Sequence, residues 1–193
     1  IGGKGGDKIT AGSGTNTVLG DDGEAAFDGG TLTSITSTNS DEGGDDVIKL
    51  EDGTNTVIAG DGQDEVTIGA GTNIVLGDEG SLTVNADSTT TIKTINGSVG
   101  DIDTINVGEG YNVAIGGAAG DEITVTGELA DSQGIVLGDN GTMTLDSDGN
   151  LSYIASSDYE YGDADTIQLT SGTNTVIGGK GGDKITAGSG TNT

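Results

Sequence analysis

Carboxylates are the one class of side chain here whose type and spacing could do chemistry. They recur in short acidic turns: GGKGGD at 2–7, GDDGE at 20–24, SDEGGDD at 40–46, GDGQD at 60–64, GDEG at 77–80, GSVGDID at 97–103, GGAAGD at 116–121, GDNG at 138–141 and YGDAD at 161–165. Carboxylates that recur at a period read as ligands, whereas catalysis needs a unique acid–base pair or nucleophile. His, Cys and Arg are absent, and no serine sits in a nucleophile motif. The sequence therefore reads as a non-enzyme, and its chemistry as the holding of cations.

The elements that position these turns come from a repeat. Residues 177–193 (IGGKGGDKITAGSGTNT) duplicate residues 1–17 without a change, a period of 176. The cores IGGKGGDKIT (1–10), IAGDGQDEVT (58–67), IGGAAGDEIT (115–124) and IGGKGGDKIT (177–186) recur at two equal intervals and a third that is slightly longer. The expected organisation is one continuous array over 1–193, with sub-repeats 1–57, 58–114 and 115–176, and with 177–193 opening the next copy. Repeats of this kind bury their apolar faces by stacking on one another.

Glycine is 39 of 193 residues, proline and tryptophan are absent, and six lysines face 32 acids for a net charge of −26. Composition alone would predict disorder. The pattern predicts otherwise: short β-branched runs with apolar residues at i and i+2, such as Val66 and Ile68, or Ile105 and Val107, have strand period. The two facts are reconciled by a fold that forms once a multivalent cation cancels the charge. The charge also excludes nucleic acid as a partner. No apolar run is long enough to span a membrane as a helix.

The turns fall into two alternating classes, the acidic ones and the tighter, mostly neutral AGSGTN, EDGTN, GAGTN, GEGYN and SGTN. In a two-strand coil, alternate turns lie on opposite edges. One edge is thus expected to carry Asp, and the other Asn16, Asn55, Asn73, Asn112 and Asn174 as a hydrogen-bonded ladder. The turn TGELADSQG (126–134) breaks the pattern and reads as a loop or secondary contact. With about 19 residues per coil, the long repeat would hold nine coils, or roughly 43 Å of rod. The segments 24–42, 81–99 and 142–161 are open to two readings, projecting hairpins or further coils. Coils are expected, since they preserve the alternation of turn types.

Gly2-Gly3-Lys4-Gly5-Gly6-Asp7-Lys8-Ile9-Thr10 fits the nonapeptide G-G-x-G-x-D-x-U-x, as does 178–186; residues 59–67 and 116–124 each miss one glycine. In these motifs the chain resembles the RTX, or haemolysin-type calcium-binding, repeats. The resemblance implies an all-β parallel β-roll, or β-solenoid, with Ca2+ held by glycine turns and their Asp. Calcium suits such donors, since it takes about 6–8 oxygens at ~2.3–2.6 Å. By resemblance the sixth-position carboxylates are Asp7, Asp46, Asp64, Asp103, Asp121, Asp165 and Asp183. The intervening turns add Asp21 with Asp22, Asp78 and Asp139 near their starts, and Asp101 and Asp163 at the fourth position. With Asn in place of Asp on the other edge, calcium is expected along one edge, at roughly one ion per acidic turn.

The resemblance further implies the repetitive body of a large secreted or cell-surface bacterial protein, exported by a type I system. A rigid extracellular stalk, fibre or matrix filament that folds on reaching calcium is the leading expectation. An adhesive or ice-binding module using the Thr/Asn edge, and a secretion or folding module attached to a toxin or hydrolase, are the alternatives. Leu19, Ile58, Leu76, Ile115, Leu137 and Ile177 read either as core edge or as an apolar stripe for lateral association, and the ends are open to end-to-end self-association.

Overall fold

A computed structural model describes residues 1–39, 42–127 and 131–193. The first coil is β1 (Lys8–Ala11) and β2 (Gly14–Leu19), followed by a hairpin of β3 (Gly23–Asp28) and β4 (Thr31–Ser37). The second and third coils are β5 (Val47–Leu50) with β6 (Gly53–Ile58), and β7 (Glu65–Ile68) with β8 (Gly71–Leu76). A second hairpin, β9 (Gly80–Val84) and β10 (Thr90–Thr94), comes next. Coils β11 (Thr104–Val107) with β12 (Gly110–Gly117), and β13 (Glu122–Val125) with β14 (Gln133–Asp139), precede a third hairpin of β15 (Gly141–Leu145) and β16 (Leu151–Ser156). The long strands β17 (Thr166–Ile177) and β18 (Lys184–Asn192) each run through both faces of a coil. Among the described residues there is no helix, and so none long and apolar enough to cross a membrane.

All pairing between coils is parallel and in register, for instance Ile48↔Val66, Val66↔Ile105 and Ile105↔Ile123. The first face runs β1-β5-β7-β11-β13-β17, and the sheet returns through β14-β12-β8-β6-β2, so one sheet folds back on itself as a roll. Inside lie Ile48, Val66, Ile105, Ile123 and Ile167 of the first face against Val18, Val57, Val75, Ala114 and Val136 of the second. β-Branched side chains suit this narrow, pleated interior. Each second-face strand of the first four coils begins on a positive-φ glycine, Gly14, Gly53, Gly71 and Gly110. A Cβ at Gly53, Gly71 or Gly110 would overlap the carbonyl of the glycine one coil before. Glycine there is required both by conformation and by space.

The segments expected as further coils are antiparallel hairpins. They join side by side into a second, six-stranded sheet, β16-β15-β10-β9-β4-β3. Directly connected coils repeat at a sequence separation of 18, as between Asp46 and Asp64 or Asp103 and Asp121. The described chain therefore has seven coils and three hairpins, and the 176-residue period holds six coils where nine were expected. At ~4.8 Å per strand the period rises about 29 Å. Two hairpin strands accompany every two coils, so both sheets climb at one rate and stay in contact.

That contact corrects the reading of the apolar stripe. Leu19, Ile58, Leu76, Ile115 and Leu137 are buried beneath the hairpin sheet. Above them runs one cross-strand row, Ala25–Ile35–Leu82–Ile92–Met143–Ile154. The second face of the roll is thus buried on both sides, and these leucines and isoleucines are core, not a surface for joining rods.

Candidate metal centre

The described acidic turns fall on one edge of the roll, because the chain passes there from each second-face strand to the next first-face strand, either directly or by way of a hairpin. On that edge the sixth-position carboxylates form a file. The N–H of Asp7 donates to Asp46 Oδ1 (2.7 Å), that of Asp46 to Asp64 (2.7 Å), and that of Asp64 to Asp103 (2.8 Å). Asp103 donates to Asp121 (2.8 Å), Asp121 to Asp165 (2.8 Å) and Asp165 to Asp183 (3.2 Å). One oxygen of each carboxylate is thus fixed by the coil before it. The other oxygen, Oδ2 of Asp46, Asp64, Asp103, Asp121 and Asp165, is buried without a partner.

Asp21, Asp78 and Asp139 stand beside this file. Their Oδ2 atoms accept N–H bonds from Asp61 (2.7 Å), Ala118 and Lys180, each one coil further on. Their Oδ1 atoms are again buried and unpaired. Among the described residues eight carboxylates present a dry oxygen along one edge, and all eight are no more than 7% exposed. Burial raises their proton affinity: Asp46 to about 6, Asp21 and Asp165 to about 7, and Asp64 and Asp121 to about 8. Burial also lifts Asp139, and sends Asp78 and Asp103 well above the usual carboxylate range. The charge of neighbouring carboxylates adds to this, as Asp78 does on Asp103.

An ionised carboxylate only accepts, so a buried oxygen with no donor is unfavourable until it meets a cation. These donors are hard oxygens, with neither imidazole nor thiol, and that chemistry fits Ca2+. Among the described residues no three acidic side chains gather as a ready-made metal cluster. The residues therefore fit calcium as one or two carboxylates per position, with turn carbonyls and water completing the shell.

The structure separates the sequence candidates. Asp46, Asp64, Asp103, Asp121 and Asp165, with Asp21, Asp78 and Asp139, are brought into the buried edge, and Asp7 and Asp183 lie half-buried at either end of the file. Asp22, Asp101 and Asp163 stand outside it. Asp22 accepts from Asn39 Nδ2 (3.1 Å), and Asp101 and Asp163 are exposed and cap the N–H of the next residue, at 3.0 and 2.9 Å. Two contributors were not anticipated. Asp45 Oδ1 accepts the Gln63 N–H (3.0 Å), and the buried Asn140 Oδ1 has no partner although its Nδ2 donates to Gly97 (3.0 Å). The place of Asn140 after Asp139, equivalent to Asp22 and Glu79 in GDDG and GDEG, was the available signal.

The opposite edge carries the expected ladder. Asn16 Nδ2 donates to Asn55 Oδ1 (2.8 Å), Asn55 to Asn73 (2.9 Å), Asn73 to Asn112 (2.8 Å), and Asn174 to Asn192 (2.8 Å). Register puts Gly134 where Asn112 and Asn174 would continue it, and Asn174 Oδ1 is buried and unpaired there. The 126–134 turn read as a loop lies in part outside the described residues. Thr15, Thr54 and Thr72 are exposed, but Tyr111 interrupts their row.

No curated protein and no solved structure matches the chain significantly. A family model does: four copies of the RTX calcium-binding nonapeptide repeat match residues 1–24, 40–66, 52–81 and 161–193, together just over half of the chain. Members bind Ca2+ in multiple repeats, and such repeats are typical of proteins exported by type I systems. The parallel roll, its glycine turns and its file of half-satisfied aspartates agree with that match, and the chain belongs to the RTX calcium-binding repeat family.

Proposed function

We propose that this calcium-binding repeat domain is a structural element, a stalk or fibre segment outside the cell that stiffens when calcium fills its acidic edge. The eight buried, unpartnered carboxylate oxygens along one edge, five in the file and three beside it, carry this reading. With a net charge of −26, the roll cannot gather them at neutral pH without counter-ions. Asp7, Asp46, Asp64, Asp103, Asp121, Asp165 and Asp183, with Asp21, Asp78 and Asp139, are the proposed ligands. Exact duplication at a 176-residue period suits a spacer whose value lies in length, and it does not suit a single catalytic centre. The sub-repeats 1–57, 58–114 and 115–176 then each consist of a coil, a hairpin and a second coil within one array, and 177–193 opens the next copy.

Calcium titration of the chelator-treated chain, followed by far-UV circular dichroism, tests this. The expected result is a reversible coil-to-β transition with calcium and none with magnesium. A full β spectrum in chelator at neutral pH would reduce the acidic edge to a charged surface and overturn the reading.

A further inference from the structure

The acidic edge contains two kinds of turn. Residues 59–64, 116–121 and 178–183 run directly from coil to coil. The other three are cut open by a hairpin: 20–21 rejoins at 43–46, 77–78 at 100–103, and 138–139 at 162–165. Register makes Asp21, Asp78 and Asp139 the counterparts of Gly60, Gly117 and Gly179 in the uncut turns.

The difference in chemistry follows. An uncut turn brings one aspartate of the file, Asp64, Asp121 or Asp183. A cut turn brings two, one from each arm: Asp21 with Asp46, Asp78 with Asp103, and Asp139 with Asp165. All six are more than nine-tenths buried, and each keeps one oxygen without a partner. The arms interlock reciprocally. A Cβ at Gly20, Gly77 or Gly138 in the first arm would overlap Oδ2 of Asp46, Asp103 or Asp165 in the second. A Cβ at Gly43, Gly100 or Gly162 in the second arm would overlap the carboxylate of Asp21, Asp78 or Asp139 in the first. Each pair is close enough for one charge to oppose the other.

We propose that each cut turn holds one calcium ion between its two carboxylates, fastening both ends of the inserted hairpin to the roll. The chain then has two classes of calcium position, three with paired carboxylates and the remainder with one. This rests on the calcium-folded roll proposed above. More ligand charge gives tighter calcium binding, so the paired positions fill first.

Two triple variants separate the classes. Asp21→Asn, Asp78→Asn and Asp139→Asn together remove the pairing. Asp64→Asn, Asp121→Asn and Asp183→Asn change the aspartates of the uncut turns and leave both carboxylates of every cut turn in place, with an acceptor kept for the N–H of Asp46, Asp103 and Asp165. Asparagine keeps an acceptor for each backbone N–H and removes a buried charge, so both variants retain the means to fold. Calorimetric titration with calcium chloride should show two classes in the parent chain. The first variant should lose the tight class, with at least about tenfold weaker binding at three positions, and the second should keep it. Hydrogen exchange at sub-saturating calcium should show Ile35, Leu82, Ile92 and Met143 losing protection in the first variant while Ile105 and Ile123 keep theirs. The single variant Asp78→Asn should loosen only β9 and β10. One class of sites in the parent chain, or hairpin protection that follows the roll in every variant, would overturn the inference while leaving the calcium roll intact. Absence of calcium binding would overturn both.

Discussion

A carboxylate with one dry, unpaired oxygen is poorly stabilised as an anion, and this sets the pH behaviour of the chain. Folded Asp46, Asp21, Asp165, Asp64 and Asp121 hold protons up to about 6, 7, 7, 8 and 8, against an ordinary value of 3.8. Across that window the folded state binds more protons than the unfolded state. Without calcium, stability is therefore full at acid pH near the ordinary carboxylate value and is lost as pH rises through the folded values. Calcium competes with those protons, so in saturating calcium the slope reverses. In calcium-stripped buffer, thermal melts from about pH 4 upward should show the melting temperature falling with pH until no folded state remains near neutrality, and in calcium-rich buffer, melts from about pH 4.5 to about pH 8 should show it rising. The variant Asp103→Asn isolates one member of the file. It should extend calcium-free folding to higher pH, leave the melting temperature at acid pH nearly unchanged, and raise the calcium concentration needed for folding at neutral pH. A calcium-free melting temperature that does not depend on pH would mean that these carboxylates are solvated after all.

At the scale of elements, the hairpins are as much core as the coils. Ile92 is fully buried between Leu82 and Met143, over the second face of the roll. Ile92→Ala should cost about 2–5 kcal/mol in calcium-loaded unfolding, the usual range for emptying such a site. Asn73→Ala should cost about 1–3 kcal/mol, because Asn112 Oδ1 loses its donor and Asn55 Nδ2 loses an acceptor in a buried ladder. Equilibrium unfolding reads both, and a loss below about 0.5 kcal/mol for Ile92→Ala would place the hairpin sheet away from the core. The Asn ladder was legible in the sequence because its turns all share one spacing to their strands. The acidic file was legible for the same reason. The hairpins were not, since a β-branched run such as LTSIT alternates identically whether its neighbour is parallel or antiparallel. Averaging over all coils concealed the decisive spacing. The separation from Asp46 to Asp64 is 18, whereas that from Asp7 to Asp46 is 39, and the excess is the hairpin. Counting acids could not separate buried Asp103 from exposed Asp101, which lie in the same arm of one cut turn, because only Asp103 stands at the position that accepts the Asp64 N–H from the coil before.

For the whole molecule, the hairpins exchange length for thickness. Had the whole period been coils, each copy would add roughly 43 Å of rod; with three hairpins laid over six coils it adds about 29 Å. The stack that results has a third layer, and its second face is buried on both sides. A chain carrying one further copy of the period tests this directly by small-angle scattering in calcium. The expected gain in maximum dimension over the present chain is about 29 Å, with little change in cross-section. A gain near the longer value would mean that residues 24–42, 81–99 and 142–161 join the stack as coils, and no gain would mean that successive copies fold back side by side. In chelator at neutral pH both chains should instead scatter as expanded coils, since 32 acids against six lysines then act without a counter-ion. An unchanged maximum dimension under those conditions would mean that the extended fold does not depend on calcium.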